Sequence, residues 1–345
     1  MTKQIMVGGV PIGGGAPVTI QSMTNTRTDD VEATLHQIRT LAAAGCEIIR
    51  VAVPDMAAAK AVGKIKEESP IPVVVDIHFD YKLALEAVAA GADKVRINPG
   101  NIGGADHVKA VAQACARRGV PIRIGVNGGS LEKPLLAKYG GVCPEAMVES
   151  AFGHIRLLNQ FDFDDICVSL KSSSVPMTMK AYRLMSQASD YPLHIGVTEA
   201  GTVRMGTLKS AVGIGGLLAL GIGDTMRVSL SADPVEEVYA AKEILKAAGV
   251  RKEGAELVSC PTCGRTRIDL IALANEVEER LKTVDKPITV AVMGCVVNGP
   301  GEASAADCGI AGGVGEGLLF KKGQIVRKVP QERLVDELFA LIDTL

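Results

Sequence analysis

Eight times before about residue 250 the chain passes from a short run of β-branched residues into an alanine-rich stretch with helical spacing. The runs fall at Val18–Ser22, Glu47–Val53, Val73–Ile77, Lys94–Ile97, Ile122–Val126, Ile166–Leu170, Leu193–Val197 and Met226–Leu230. Strands that alternate with helices cannot pair as hairpins, so they lie parallel, with the helices covering the sheet. Eight such units predict an α/β chain closed as a (β/α)8 TIM barrel. A small hairpin, Val7 to Val10, a Gly/Pro turn and then Val18, is expected to precede the first strand. Helix punctuation agrees with this reading. Asp29 and Asp30 suit a helix start, Gly45, Gly91, Gly119 and Gly249 suit helix ends, and Pro54, Pro144, Pro176 and Pro234 stand near helix openings.

At 345 residues the chain is longer than one such barrel, and its texture changes at Arg251-Lys252-Glu253-Gly254. Residues 1–250 read as the barrel and 251–345 as a small α+β domain. This second domain has a helix at Thr266–Lys282, a strand at Ile288–Val292, a glycine-rich stretch to Gly317, a hairpin around Lys321–Gly323 and a helix from Gln331 to Leu345. With 47% apolar residues the chain can build a large core, and with no Trp and 3% aromatics that core must be aliphatic and tightly packed.

The net charge of −2, from 37 basic and 39 acidic residues, shows no basic stripe of the kind a nucleic-acid partner needs. The longest uncharged apolar stretch, Ser210 to Gly223, is too short and too rich in glycine to span a bilayer, and the N-terminus lacks the layout of a signal peptide. A cytoplasmic address follows as the expectation, and there eight cysteines read as thiols or metal ligands.

In a barrel of this kind the C-terminal strand ends form the active face. Those ends carry Gln21 to Asn25, Arg50, Asp76, His78, Arg96, Asn98, Arg123, Asn127, Ser169, Lys171, His194, Thr198, Glu199, Arg227 and Ser229. Arg50, Arg96, Arg123 and Lys171 come from four different strands, and a buried cation must meet an anion, a carboxylate or water. Structural pairs with Asp76, Glu47 or Glu199 would satisfy some of them. A phosphate or diphosphate would satisfy the surplus through charge-assisted bonds. His78 and His194 read as ordinary hydrogen-bonded residues, whereas Glu199, just past a strand and before Ala-Gly, suits a proton donor.

Cys260-Pro-Thr-Cys263 offers two thiolates on one turn, and Cys295 follows the next strand within Met-Gly-Cys-Val-Val-Asn-Gly-Pro-Gly-Glu302. A structural zinc knuckle would want a second such pair, and a redox dithiol would want a helix opening at the motif. Three thiolates from two loops suit a four-iron cluster with one iron left for another ligand, for which Glu302 and Cys308 are the candidates. Cys46, Cys115, Cys143 and Cys167 read as small buried hydrophobes.

The segments SCPTCGRT and MGCVVNGPGE, with QSMTNT, VRINPGN, RIGVN and GVTEAG in the barrel, resemble the 4-hydroxy-3-methylbut-2-enyl diphosphate synthase family of the non-mevalonate isoprenoid pathway, in its short bacterial form. The likeness covers essentially the whole chain. It implies two-electron reductive opening of 2-C-methyl-D-erythritol 2,4-cyclodiphosphate, with loss of a hydroxyl as water. It further implies one [4Fe–4S] cluster per chain on Cys260, Cys263, Cys295 and Glu302, with Cys308 a bystander, and flavodoxin or ferredoxin as electron donor. Arg50, Arg96, Arg123 and Lys171 would hold the diphosphate, with Asn98, Asn127, Asp76 and Ser229 also at the substrate and Glu199 donating the proton. A head-to-tail homodimer is implied too, one subunit's cluster domain covering the partner's barrel mouth. Two readings compete with this one: a non-redox, dihydropteroate-synthase-like barrel with zinc in the tail, and an electron carrier. The first leaves Glu302 without a role, the second the barrel cations and Glu199.

Overall fold

The computed structural model of the chain describes residues 1–98, 100–252, 254–295 and 303–345. Two compact units divide at Val250, Met1–Val250 and Arg251–Leu345. No helix among the described residues is long and apolar enough to cross a membrane.

The first unit is an eight-stranded parallel barrel. Its strands are β3 (Thr19–Met23), β4 (Ile48–Ala52), β5 (Val73–Asp76), β6 (Lys94–Ile97), β7 (Ile122–Asn127), β8 (Ile166–Lys171), β9 (His194–Ile195) and β10 (Thr225–Met226). They neighbour one another in the order β8-β7-β6-β5-β4-β3-β10-β9, and a parallel bridge from Val168 to Leu193 completes the ring. The last two strands are only two residues long. Their ladder continues irregularly, with Asp224 N donating to the Leu193 carbonyl and Arg227 N to that of Ile195. The five-residue strands expected there shorten for that reason.

The hairpin also differs from expectation. β1 (Ile5–Val7) pairs with β2 (Val10–Ile12) across Gly8-Gly9, and Val18 takes no part. Gly8 holds a φ of 58°, the left-handed conformation such a tight turn favours. Ile5, Val7 and Ile12 pack on Ile48, Val74 and Cys167, the inward residues low on β4, β5 and β8, and so plug the barrel's floor.

Outer helices follow each strand, and their ends obey local chemistry. Asp30 caps α1 (Val31–Ala44) by accepting from Ala33 N, and the helix stops at left-handed Gly45. After β8 comes α7 (Val175–Ala188), with proline in its first turn and Ser174 as cap. α8 (Val203–Ser210) runs through a π turn at Ala211–Gly215 into the short α9 (Gly216–Leu218), and α10 (Pro234–Ala247) closes the unit. Of the barrel-half cysteines, Cys46, Cys115 and Cys167 are buried, and burial pushes the thiols of Cys46 and Cys115 up to about 12. Cys143 departs from the buried expectation. It is half-buried, and its sulfur accepts from Ala146 N at the start of a helix.

The second unit is a five-stranded mixed sheet, β11 (Glu256–Ser259), β12 (Thr289–Met293), β13 (Cys308–Gly312), β14 (Glu316–Lys321) and β15 (Gln324–Pro330), in that order. β11, β12 and β13 are parallel; β13, β14 and β15 are antiparallel. β11 and β13 are additions to the sequence reading, hidden by short length and by glycine. α11 (Leu270–Leu281) starts later than expected, because Asp269 caps it and Thr266 and Arg267 are held by the turn before it. That helix and a C-terminal one (Leu334–Asp343) cover one face of the sheet.

Candidate active site

A cavity of about 300 Å³ opens among the upper inward residues of the barrel. It is lined by Met23, Arg50, Asp76, His78, Arg96, Arg123, Asn127, Ser169, Lys171, Thr198, Arg227 and Ser229. Strand register explains the convergence. Arg96 stands beside Asp76 on one flank and Arg123 on the other, and Arg50 lies beside Met23, so side chains from successive strands share one level.

The cations are unequally served. Arg96 Nη1 donates to Asp76 Oδ1 at 3.0 Å, and Arg50 Nε lies 3.7 Å from Asp76 Oδ2, with His78 Nε2 at 3.6 Å. Burial alone would raise the Asp76 pKa. Arg50, the His78 hydrogen bond and Arg96 instead hold it well below the usual carboxylate range. Arg50 otherwise turns its nitrogens to the Met23 thioether at 3.0 and 2.8 Å, a weak acceptor. Arg227 is held by both oxygens of Glu237 at 3.0 Å each, and that buried carboxylate also accepts from Ser22 Oγ and Leu230 N.

Arg123 and Lys171 have no carboxylate within ion-pair distance among the described residues. Arg123 reaches across the barrel to Gln21 Oε1 at 3.4 Å and leaves its Nε unpartnered. Burial, aided by Arg96, brings its pKa down to about 10. Lys171 Nζ lies 3.5 Å from His194 Nε2, and burial, then repulsion from Arg123 and Arg50, pulls it well below its ordinary value. The same burial, then the charges of Arg123 and Lys171, pull His194 well below its ordinary value. Among the described residues, five lining cations against Asp76 and Glu237 leave three charges uncompensated. A surplus of that sign matches the charge of a polyanion.

Of the sequence-predicted residues, Arg50, Asp76, Arg96, Arg123, Asn127, Lys171 and Ser229 line the cavity. Asn98 and Glu199 do not. Asn98 is buried and its Oδ1 accepts from Gly100 N, so it turns its own loop. Glu199 is exposed, next to the lining Thr198, and its backbone sits at φ 52°, strained for a residue with a side chain. Arg227, Ser169 and Thr198 stand at the strand ends already inventoried. Glu237 was hidden, since an acid in a helix's first turn reads as a partner of the helix dipole.

In the second unit Cys260 and Cys263 follow the end of β11, and Cys295 follows the end of β12, the neighbouring parallel strand. Cys260 directly follows β11, its N–H donating to the Val292 carbonyl, and its sulfur accepts from Gly294 N at 3.2 Å. Thr266 closes the turn by donating to the Cys263 carbonyl, and Arg267 N donates to the Gly294 carbonyl, docking the CxxC turn against the approach to Cys295. A Cβ on Gly294 would come 3.1 Å from Thr266, which is why that close approach wants glycine. Cys263 is exposed, and hydrogen bonds from Arg265 lower its pKa. Cys308 lies elsewhere. It pairs with Val290, three residues before the end of β12 at Met293, about 10 Å along the strand. Burial and Asp307 push its thiol up to about 11. Glu302 lies outside the described residues. No three His, Cys, Asp or Glu side chains among the described residues gather closely enough to hold a single metal ion.

Residues 2–242 match the family described as the GcpE TIM-barrel domain, and residues 256–344 match the GcpE protein C-terminal domain. The chain belongs to the GcpE family. Curated relatives align with it over nearly their full length. The 4-hydroxy-3-methylbut-2-en-1-yl diphosphate synthase (flavodoxin) of Geobacter sulfurreducens is 63% identical over 99% of this chain and 97% of its own. Proteins of the same name from Ruminiclostridium cellulolyticum and Bacillus velezensis are 61% and 60% identical, over 98% and 100% of this chain and 96% and 92% of theirs. Among solved structures, Yersinia pestis dihydropteroate synthase superposes with a TM-score of 0.52 at 14% identity, covering 73% of this chain and all of its own. A type I 3-dehydroquinate dehydratase from Clostridium difficile gives the same score and identity, covering 72% of this chain and 97% of its own. At such identity the likeness reports the shared barrel alone.

Proposed function

We propose that this GcpE-family chain is an iron–sulfur oxidoreductase that converts 2-C-methyl-D-erythritol 2,4-cyclodiphosphate to 4-hydroxy-3-methylbut-2-enyl diphosphate and water. The observation that carries the reading is the barrel cavity's surplus of three buried positive charges, which a diphosphate matches. Breaking the ring C–O bond and the C–OH bond while forming a C=C bond consumes two electrons, and protonation of the departing hydroxyl gives water.

The chain's own residues divide the work. Arg123, Lys171, Arg50 and Arg96 hold the diphosphate, exchanging weak acceptors such as the Met23 thioether for phosphate oxygens. Asp76 keeps Arg50 and Arg96 oriented, Asn127 and Ser229 supply neutral hydrogen bonds from the wall, and Asn98 acts through its loop. Glu199 delivers the proton to the leaving hydroxyl, its strained backbone setting the direction of the side chain.

Cys260, Cys263 and Cys295, with Glu302 as the exchangeable fourth ligand, would hold a [4Fe–4S] cluster. The donor set fits, because the CxxC turn and the approach to Cys295 dock through Gly294, with Cys263 already biased toward thiolate. When bound, such a cluster supplies the electrons one at a time and an iron able to take a substrate oxygen. Residues 1–250 thus serve as the substrate domain and 251–345 as the cluster domain. Flavodoxin, which the curated relatives carry in their names, or ferredoxin is the external donor. The protein works in the cytoplasm as a head-to-tail homodimer.

Anaerobic purification with iron and sulfide analysis tests the reading. A brown protein near four irons and four sulfides per chain that turns over the cyclic diphosphate with a reductant supports it. A colourless protein that binds one zinc after anaerobic reconstitution overturns it.

A further inference from the structure

Two glycines at inward positions of the barrel, Gly125 and Gly196, stand where a neighbouring strand's cation crosses. Gly125 occupies the inward position on β7 between Arg123 and Asn127. A Cβ there would lie 2.5 Å from Arg96 Nε, 2.8 Å from Nη2 and 3.0 Å from Cζ. The Arg96 guanidinium therefore lies against the β7 backbone while its Nη1 reaches back to Asp76 at 3.0 Å. Gly196, just past β9, repeats the arrangement, since a Cβ there would lie 2.9 Å from Lys171 Nζ and 3.2 Å from its Cε.

Glycine inside a strand usually marks a bulge or a backbone conformation closed to other residues. Neither glycine has a positive φ, so the backbone at these points admits any residue. At Gly196 the nearest obstacle is the Arg227 backbone carbonyl, 2.8 Å from a Cβ, which by itself calls for glycine. At Gly125 the three nearest obstacles are all atoms of the Arg96 guanidinium.

We propose that Gly125 is a positioning residue, its missing side chain fixing where the Arg96 guanidinium meets the substrate's anionic group. This deepens the diphosphate reading of the cavity and rests on it. A methyl group at Gly125 would displace the end of a flexible side chain and leave the fold intact. The displaced guanidinium would lose either Asp76 or the ligand.

The test compares anaerobically prepared holoenzyme with its Gly125→Ala, Arg96→Lys and double variants, using calorimetric titration with inorganic pyrophosphate and crystal structures of each. Gly125→Ala is expected to melt within a few degrees of the parent and to bind pyrophosphate on the order of 10- to 100-fold more weakly. Arg96→Lys is expected to weaken binding in the parent but not further in the Gly125→Ala background, because a slim ammonium does not need the space over β7. Equal effects of Arg96→Lys in both backgrounds, or parent-like binding by Gly125→Ala, would overturn the proposal. Should the parent itself bind no pyrophosphate, the diphosphate reading fails. The crystal structure then decides the positioning role alone, an Arg96 moved off Asp76 supporting it and an unmoved one refuting it.

Discussion

Replacing Arg123 by methionine should push stability and binding in opposite directions. The side chain is almost wholly buried, and among the described residues its one polar contact is the long 3.4 Å bond to Gln21, with no partner for its Nε. Burial has lowered its pKa from 12.5 to about 10, and at about 1.36 kcal/mol per unit the ligand-free fold carries a penalty of roughly 3 kcal/mol for keeping the charge. Methionine removes that charge and keeps much of the apolar stem, at the cost of one weak hydrogen bond. The ligand-free barrel should therefore melt at the same temperature or higher, by about 2–4 °C for each kcal/mol recovered. Binding moves the other way. Loss of one charge-assisted hydrogen bond to a diphosphate costs roughly 1.5–3 kcal/mol, or about 10- to 100-fold in affinity. Thermal unfolding without ligand and calorimetric titration with the cyclic diphosphate read the two quantities separately. A variant that melts lower and binds unchanged would refute the reasoning and make Arg123 a structural cation.

Lys94, fully buried with Nζ unpartnered, has its pKa pulled by burial from 10.5 to about 8, so between those values the unfolded chain binds more protons and stability rises with pH. Lys94→Met should be the more stable form at pH 7.5, with its advantage shrinking toward pH 10 in paired denaturation curves; a constant offset would refute the linkage. Glu302→Ala should retain iron but lose it faster under chelator and show little turnover, whereas Cys308→Ala, about 10 Å along the sheet from the other thiols, should match the parent in iron content. Parent-like turnover by the first, or iron loss by the second, would reassign the fourth ligand. Glu199→Gln should lower kcat by about 10²-fold or more with KM nearly unchanged, as removal of a proton donor predicts; steady-state kinetics showing a KM effect alone would move Glu199 to binding.

The barrel and its cationic mouth were legible because both follow from local pattern. Each β-branched run announces a strand, and the position just before the following loop places a side chain at the mouth, so Arg50, Arg96, Arg123 and Lys171 could be read as one group. What escaped the reading depends on crossings between strands. Whether an inward arginine meets a carboxylate is decided by register. Arg96 sits beside Asp76 while Arg123, one strand over, reaches only Gln21 on the far wall. Asn98, expected at the substrate, turns its Oδ1 to Gly100 N, a competition that asparagine enters wherever a loop is tight. An acid in a helix's first turn reads as a partner of the helix dipole, yet the Glu237 carboxylate is the counter-ion of Arg227. Nothing in the residue pattern singles out Gly125, although the plane of Arg96 occupies the space above it. In each case the residue type permits two roles, and the neighbouring strand or loop settles the choice. A reading from sequence therefore finds the charges of such a site more readily than the residues that aim them.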